Sequence, residues 1–256
     1  MKRATAVAVA VSLVLAGGAM ADTIDVAFQY VTAGGEIDCW LGSTHFALGH
    51  NWADGIQKIL TQNPSGSLAT QVPVPTWASC FELGQNTDWT SSTYNVSTLS
   101  SALDAPKANL IRQLWGQNYD SAGWDTTTAI YGLGGAGWVA GEPASTATNV
   151  NALAFIYAIY EIRYDYDGTL GSLNLAADSF QMLTADAGTV PTGVQTATQN
   201  MLDGLVDPGS YSGPLPGLLA LTSSTHQDLI VTPEPATMAL MALGGVGLLA
   251  RRRGKK

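Results

Sequence analysis

The chain has 256 residues, 20 acidic against 11 basic side chains, and a formal net charge of −9. So acidic a balance argues against nucleic acid and against anionic lipid headgroups as partners. The length allows one domain with a real core.

Met1-Lys2-Arg3 is a positive n-region, Ala4 to Ala16 an apolar h-region, and Ala19-Met20-Ala21 an A-x-A cleavage site. This pattern predicts a secretory signal peptide over residues 1–21, with Asp22 as the mature N-terminus. The body, residues 22–232, keeps four cations (Lys58, Lys107, Arg112, Arg163) against nineteen acids, a net charge of −15. It is rich in Gly, Ser, Thr, Asn, Trp and Tyr, as many secreted β-rich proteins are.

Thr23 to Val31 alternates, with Ile24, Val26, Phe28 and Tyr30 on one face, which predicts a strand. Gly34-Gly35 predicts a turn, with Glu36 to Leu41 returning as a hairpin partner. Ala53 to Leu60 is expected to form a short helix. Pro73 and Pro75 lead into a strand around Trp77–Leu83, and Tyr94–Val96 adds a short one. Asp104 as N-cap, Pro106 in the first turn, and the stripe Leu110, Ile111, Leu114, Trp115 predict a helix. A Gly-rich stretch, Gly132 to Gly141, reads as a loop. Beyond Ser145 or Thr148, Ala152 to Tyr160 is apolar on every side, so a buried central helix is expected over about 149–163. Asp165-Tyr166-Asp167-Gly168 ends it. Val194, Ala197, Met201, Leu202 and Leu205 form a third amphipathic stretch. Leu218–Thr222 and Asp228–Val231 read as closing strands. The expected fold is α+β: a β-rich sandwich or small barrel packed around the buried helix.

The tail has three parts in order. Pro233-Glu234-Pro235 ends the body, because neither proline donates a backbone hydrogen bond and each holds its predecessor extended. The uncharged apolar run Ala236 to Ala250 follows, and Arg251-Arg252-Arg253-Gly254-Lys255-Lys256 closes the chain. As a helix the run reaches about 22 Å, short of a hydrocarbon core of roughly 30 Å. Flanking arginines that snorkel in a locally thinned bilayer let it span, with the basic cluster cytoplasmic and the body outside. The domains are thus 1–21, 22–232 and 233–256.

Cys39 and Cys80 are a disulfide candidate in an exported chain. The bridge would close a loop of about 40 residues and stabilise by about 3–4 kcal/mol. A buried Cys80 thiol is the alternative. His45 and His50 are not at helical metal-pair spacing, and His226 is far along the chain, so no metal site is expected. Asp165 to Gly168 starts like a calcium loop but lacks the later acidic ligand. No G-x-S-x-G or phosphate-loop pattern is present. Of seven tryptophans (Trp40, Trp52, Trp77, Trp89, Trp115, Trp124, Trp138), Trp115 reads as core by its helix spacing, and one or two others could stack on sugar rings. No catalytic residue and no cofactor is expected.

Pro233-Glu234-Pro235, the Gly/Ala/Leu stretch and Arg251 to Arg253 together resemble the PEP-CTERM protein-sorting signal. The resemblance implies passage through the export machinery and signal peptidase, and transient anchoring in the inner membrane. It further implies processing by an exosortase, a membrane cysteine transpeptidase, and release to the cell surface or an exopolysaccharide matrix.

Pieces of the body are similar to an ectodomain of such proteins, and two of them, the Cys80 strand and the Ala158–Asp165 helix, also resemble thioester domains of bacterial surface adhesins. The pieces are Ser79-Cys80-Phe81-Glu82-Leu83, Lys107 to Trp115, Ala158-Ile159-Tyr160-Glu161-Ile162-Arg163-Tyr164-Asp165, and Gln227 to Val231. That resemblance implies a cysteine condensed with a helix glutamine into an internal thioester. The glutamine's position, two before Ala158, is Ile156 here, and isoleucine has no carboxamide to acylate. Gln113 is another glutamine to weigh.

The expectation is a non-enzymatic, exported surface or extracellular-matrix protein. An adhesin-like carbohydrate- or surface-binding module without the thioester is the alternative, and a secreted hydrolase a distant one.

Overall fold

Ile24, Val26 and Phe28 are buried while Thr23, Asp25 and Ala27 are half-covered, so the first strand alternates as its sequence does. A computed structural model of the chain describes residues 21–36, 39–46, 52–85, 90–118, 147–176, 179–182 and 193–233. The expected signal peptide up to residue 20, the glycine-rich stretch 132–141 and the tail from Glu234 lie outside the described residues.

Six strands close into an antiparallel barrel. They are β1 (Thr23–Glu36), β4 (Trp52–Ser65), β5 (Thr76–Cys80), β9 (Leu229–Val231), β8 (Leu219–Thr222) and β6 (Ser92–Thr98), in that order around the wall. Closure leaves no unpaired edge among these strands. A small sheet, ordered β3–β2–β7, joins β2 (Cys39–Leu41) to β3 (Thr44–Phe46) and β7 (Phe180–Met182). A short helix α1 (Leu99–Ala102) leads from β6 into α2 (Ala105–Asn118); α3 (Ala147–Asp165) and α4 (Val194–Asp203) complete the described helices.

Two sequence expectations fail at β1 and β4. Gly34-Gly35 does not turn the chain. β1 runs through both glycines to Glu36 and pairs with β4, and its register shifts between Val31, Ala33 and Gly35. Glycines inside a strand mark such irregularities as readily as turns. Ala53–Leu60 is not a helix but part of β4. Its period of two is carried by Gln57, Ile59 and Thr61, all buried, against the half-exposed Lys58 and Leu60. Two of the three inward residues are polar, which hides the alternation from a hydrophobicity reading.

The helices agree with expectation. Asp104 Oδ1 accepts the Lys107 N–H at 2.9 Å, capping α2. Trp115 is buried there, with its ring edge-on to Phe155 at 5.4 Å. Along α3, Leu153 to Ile162 is buried without interruption. The helix touches β1 and β4 of the barrel, β7, and both α2 and α4. A helix hemmed in by five elements must be apolar on every side, and this is the core of the molecule.

Replacing Ile159, fully buried on α3, by alanine is expected to cost about 3 kcal/mol, a transfer term plus a cavity term. The exposed Thr196→Ala on α4 should stay within about 0.5 kcal/mol. Urea unfolding of the two variants checks the contrast.

Candidate functional site

The residues singled out in the sequence on β5, on α3 and before β9 meet at one end of the barrel. β5 faces its even residues inward, so Thr76, Ala78 and Cys80 are buried. On the neighbouring strand Gln57 is paired with Ala78. Cys80 lies two residues further, the diagonal position that a long side chain reaches. Gln57 Nε2 donates to Cys80 Sγ at 3.0 Å, and both residues are fully buried. Gln57 Oε1 has no hydrogen-bond partner among the described residues. A carboxamide shut away from water with its carbonyl unsatisfied carries a cost of about 1–3 kcal/mol. Ile156, where the thioester pattern places its glutamine, is a buried apolar residue of α3. The glutamine that reaches Cys80 therefore comes from β4, where a helix is expected from the sequence. Gln113 is buried on α2, and its Oε1 accepts the Val206 N–H at 3.2 Å. Cys39 is also fully buried, in the small sheet.

Immediately past Cys80 the chain is clamped by Arg163, near the end of α3. Arg163 Nη1 donates to the Phe81 carbonyl at 2.7 Å, and its guanidinium lies 4.6 Å from the Phe81 ring centroid. Nη2 stands 3.9 Å from Glu82 Oε1 and 3.7 Å from Asp228 Oδ2. Backbone bonds stitch the same corner: Phe81 N–H to Asp228 O, Leu83 N–H to the Tyr164 hydroxyl, and Ser223 N–H to Asp228 Oδ1. Gln227 Nε2 donates to the Glu82 carbonyl at 3.1 Å, and Lys107 Nζ reaches the Arg163 carbonyl at 2.8 Å. β5, β9, α2 and α3 are all tied through one arginine.

Two carboxyl groups share this one guanidinium. Burial, and then the facing Asp228, push Glu82 above the usual carboxylate range; Arg163 opposes the rise. Burial likewise pushes Asp228 up, against the Ser223 N–H and Arg163. A single cation offsets only part of the two charges, so burial favours the protonated form of each. Glycosidic pairs need room for a sugar, or for a sugar and water, between the two carboxyls. Here the space between Glu82 and Asp228 is taken by each other and by Arg163.

The remaining candidates are dispersed. His45 stacks on Trp40 with centroids 4.6 Å apart. His226 Nε2 faces Ser92 Oγ at 3.3 Å, and its Nδ1 faces the hydroxyls of Thr225 and Ser223. Asp165 gives both oxygens to backbone N–H groups of Ser179 and Phe180, and Asp167 caps the turn at Thr169. Among the described residues no group of three or more His, Cys, Asp or Glu is placed to hold a metal ion. Trp77 is half-exposed on the barrel wall, with Lys58 Nζ 5.7 Å from its ring centroid. Asp22, the expected mature N-terminus, accepts the Leu68 N–H through Oδ1 and the Val96 N–H through its carbonyl. His50, Trp89, Trp124 and Trp138, together with Ala19, Glu234, Pro235 and Arg251 to Arg253, lie outside the described residues.

Residues 231–253 match the PEP-CTERM protein-sorting motif. No curated protein matches the chain. Two solved structures align with most of it. One is the N-terminal thioester domain of the fibronectin-binding protein SfbI from Streptococcus pyogenes, at 15% identity and a TM-score of 0.37, covering 78% of this chain and 95% of that one. The other is the N-terminal domain of the Streptococcus pyogenes pilus tip adhesin Cpa, at 16% identity and a TM-score of 0.34, covering 77% and 93%.

The Arg163 corner sets a pH dependence. Glu82 and Asp228 titrate higher folded than unfolded, so their contribution to stability is full below the ordinary carboxylate value and is lost as pH rises through the raised values. Glu82→Gln removes one charge and keeps a donor toward Asp228. Its melting temperature should gain on the parent as pH climbs from about 4 to 8; parallel pH profiles would remove Glu82 from this role. Arg163→Met should cost about 3 kcal/mol at neutral pH, and less in acid, where both carboxyls are protonated.

Proposed function

We propose that the chain is an exported protein of the cell surface or extracellular matrix. A membrane-embedded, exosortase-like transpeptidase processes it through Pro233-Glu234-Pro235. The observation that carries this reading is the sorting motif over residues 231–253. Among the described residues no helix is long and apolar enough to cross a membrane, so the anchor of this proposal is the apolar run Ala236 to Ala250 in the tail. The basic residues beyond it hold that end on the cytoplasmic side until the cut. The body is a non-enzymatic component, in contact with exopolysaccharide through half-exposed tryptophans such as Trp40 and Trp77. Two features support that part: the Glu82–Asp228 pair is closed on itself around Arg163, and the His226 imidazole is held among hydroxyls.

Fractionation of the native host, with mass spectrometry of the mature C-terminus, tests the sorting reading. The expected product ends in the tail, lacks Arg251 to Arg253 and leaves the inner membrane. Glu234→Ala should accumulate as a membrane-held precursor. A mature form that keeps its arginine cluster outside the cell would sink the processing step.

One contact favours a second reading, an adhesin-like module with covalent chemistry of its own. Cys80 Sγ lies 3.0 Å from the Gln57 amide nitrogen, and the carbonyl carbon is one bond of about 1.33 Å beyond. Attack of the sulfur on that carbon, with the C–N bond breaking and the thiol proton leaving on ammonia, would give an internal thioester. The step balances without an oxidant, and the product is an electrophile for surface amines. Intact mass of the mature body decides. A deficit of one ammonia that vanishes in Gln57→Ala supports the thioester. The full reduced mass leaves Cys80 as a buried thiol, and a deficit of two hydrogens points to the Cys39–Cys80 disulfide.

A further inference from the structure

Antiparallel pairing fixes what surrounds the point where the chain leaves the barrel. Val231, the last residue of β9, pairs with Ala78 on β5 and with Leu219 on β8. The segments entering β5 and β8 therefore arrive at the end of the barrel from which Thr232 and Pro233 depart, and a side chain added at Gly217 would come within 4.0 Å of Pro233 Cγ. The Arg163 corner and Cys80 lie at the opposite end.

This exit end gathers three uncharged segments of an acidic body, with the Asp22 carboxylate beside them on the Leu68 N–H. Residues 66–77, 208–222 and 229–233 contain no acidic or basic side chain, in a body that carries −15. Among the described residues, three large apolar side chains are strongly exposed: Val74 at 58%, Val206 at 42% and Leu215 at 41%. Val74 sits two residues before β5 and Leu215 four before β8, so both belong to this rim. Beside them on the outer wall, Trp77 pairs across the strands with Lys58, whose ammonium lies 5.7 Å from the indole centroid. Tryptophan with an adjacent lysine is the side-chain chemistry of a membrane–water interface.

The reach of the chain gives the rim its partner. From Pro233 to Ala236 three residues extend at most about 10 Å, comparable to one headgroup layer of roughly 5–8 Å. With the apolar run inserted, the exit end cannot stand off from the bilayer. We infer that the rim around Pro233, through Val74, Leu215, Trp77 and Lys58, docks on the outer lipid surface while the tail is anchored. The partner is a net-neutral headgroup layer, because an anionic one would repel the body. This rests on the anchored-tail reading above. Docking would hold the sorting motif at a fixed height and leave the Cys80 end facing outward.

The full chain reconstituted in phosphatidylcholine–phosphatidylethanolamine vesicles tests it. An environment-sensitive fluorophore is placed on single introduced cysteines, Val74→Cys or Leu215→Cys at the rim, Thr225→Cys on the exposed β8–β9 turn at the far end, and Gly244→Cys in the tail. The native thiols are fully buried, and label on the unsubstituted chain gives the background. The expected result is blue-shifted emission, quenched by headgroup-region nitroxide lipids, at Val74 and Leu215 and not at Thr225. Water-like emission at the rim with a lipid-quenched Gly244 label overturns docking and leaves the anchor standing. A Gly244 label that stays in water overturns both. Shielding of the rim only after a transpeptidase is added assigns the surface to that enzyme and also overturns lipid docking. Since Val74 and Leu215 are exposed, paired Asp substitutions should fold, and they should release the far-end-free, rim-quenched state.

Discussion

Arg163 is the constraint on which the rest of the structure turns. It is one of only four cations in the body. Its guanidinium spans a backbone carbonyl, an aromatic face and two carboxyls contributed by segments some 80 residues before it and 65 after it. No neutral side chain could serve those groups together, because the fork of donors and the planar face act at once. Removing it would leave two acids facing one another in poor solvent contact. The neighbouring hydrogen bonds at Tyr164, Ser223 and Gln227 add no charge, and Lys107 turns its ammonium to the Arg163 carbonyl. They position the corner, while the arginine makes it electrostatically tolerable.

Much of the fold was legible because it obeys simple periodicities. The all-round apolar run of α3, the cap at Asp104 and the alternation at Ile24, Val26 and Phe28 state their own environments. β4 was not legible. Its inward face carries Gln57 and Thr61, so a hydrophobicity pattern finds no face at all, and the same polar interruption concealed the residue that reaches Cys80. Gly34-Gly35 misled for the opposite reason. The residues allow a turn, but a long partner strand held them in line. The fragments on β5, α3 and β9 were each visible in the sequence, while their meeting at Arg163 depends on barrel order, which no local pattern encodes.

The candidate site is thus split between a part that is held and a part that is stored. The carboxyl pair is held by charge and backbone and has no room for a guest. The thiol and carboxamide beside it are sealed from water and poised against each other, with an acceptor oxygen left over. Those two properties belong to a chemically quiet corner and to a protected electrophile alike, and the difference between them is a single molecule of ammonia. At the other end of the same barrel the segments entering β5 and β8 carry no charged side chain, close to where the sorting motif begins.

The brevity of the last wall has a consequence for biogenesis. β9 spans three residues, Leu229 to Val231, and the barrel is completed only when they slot between β5 and β8. A polypeptide threaded outward from its N-terminus presents β1, β4, β5 and β6 long before that wall exists. The open sheet must wait, with the edges of β5 and β6 unsatisfied, until β8 and the segment bordering the sorting motif have followed. On the proposed export route, closure is then one of the last local events of secretion. A holding factor outside the membrane would find its substrate in that interval, and the time it must protect is set by translocation of residues 99 to 231 and not by the folding of any one element.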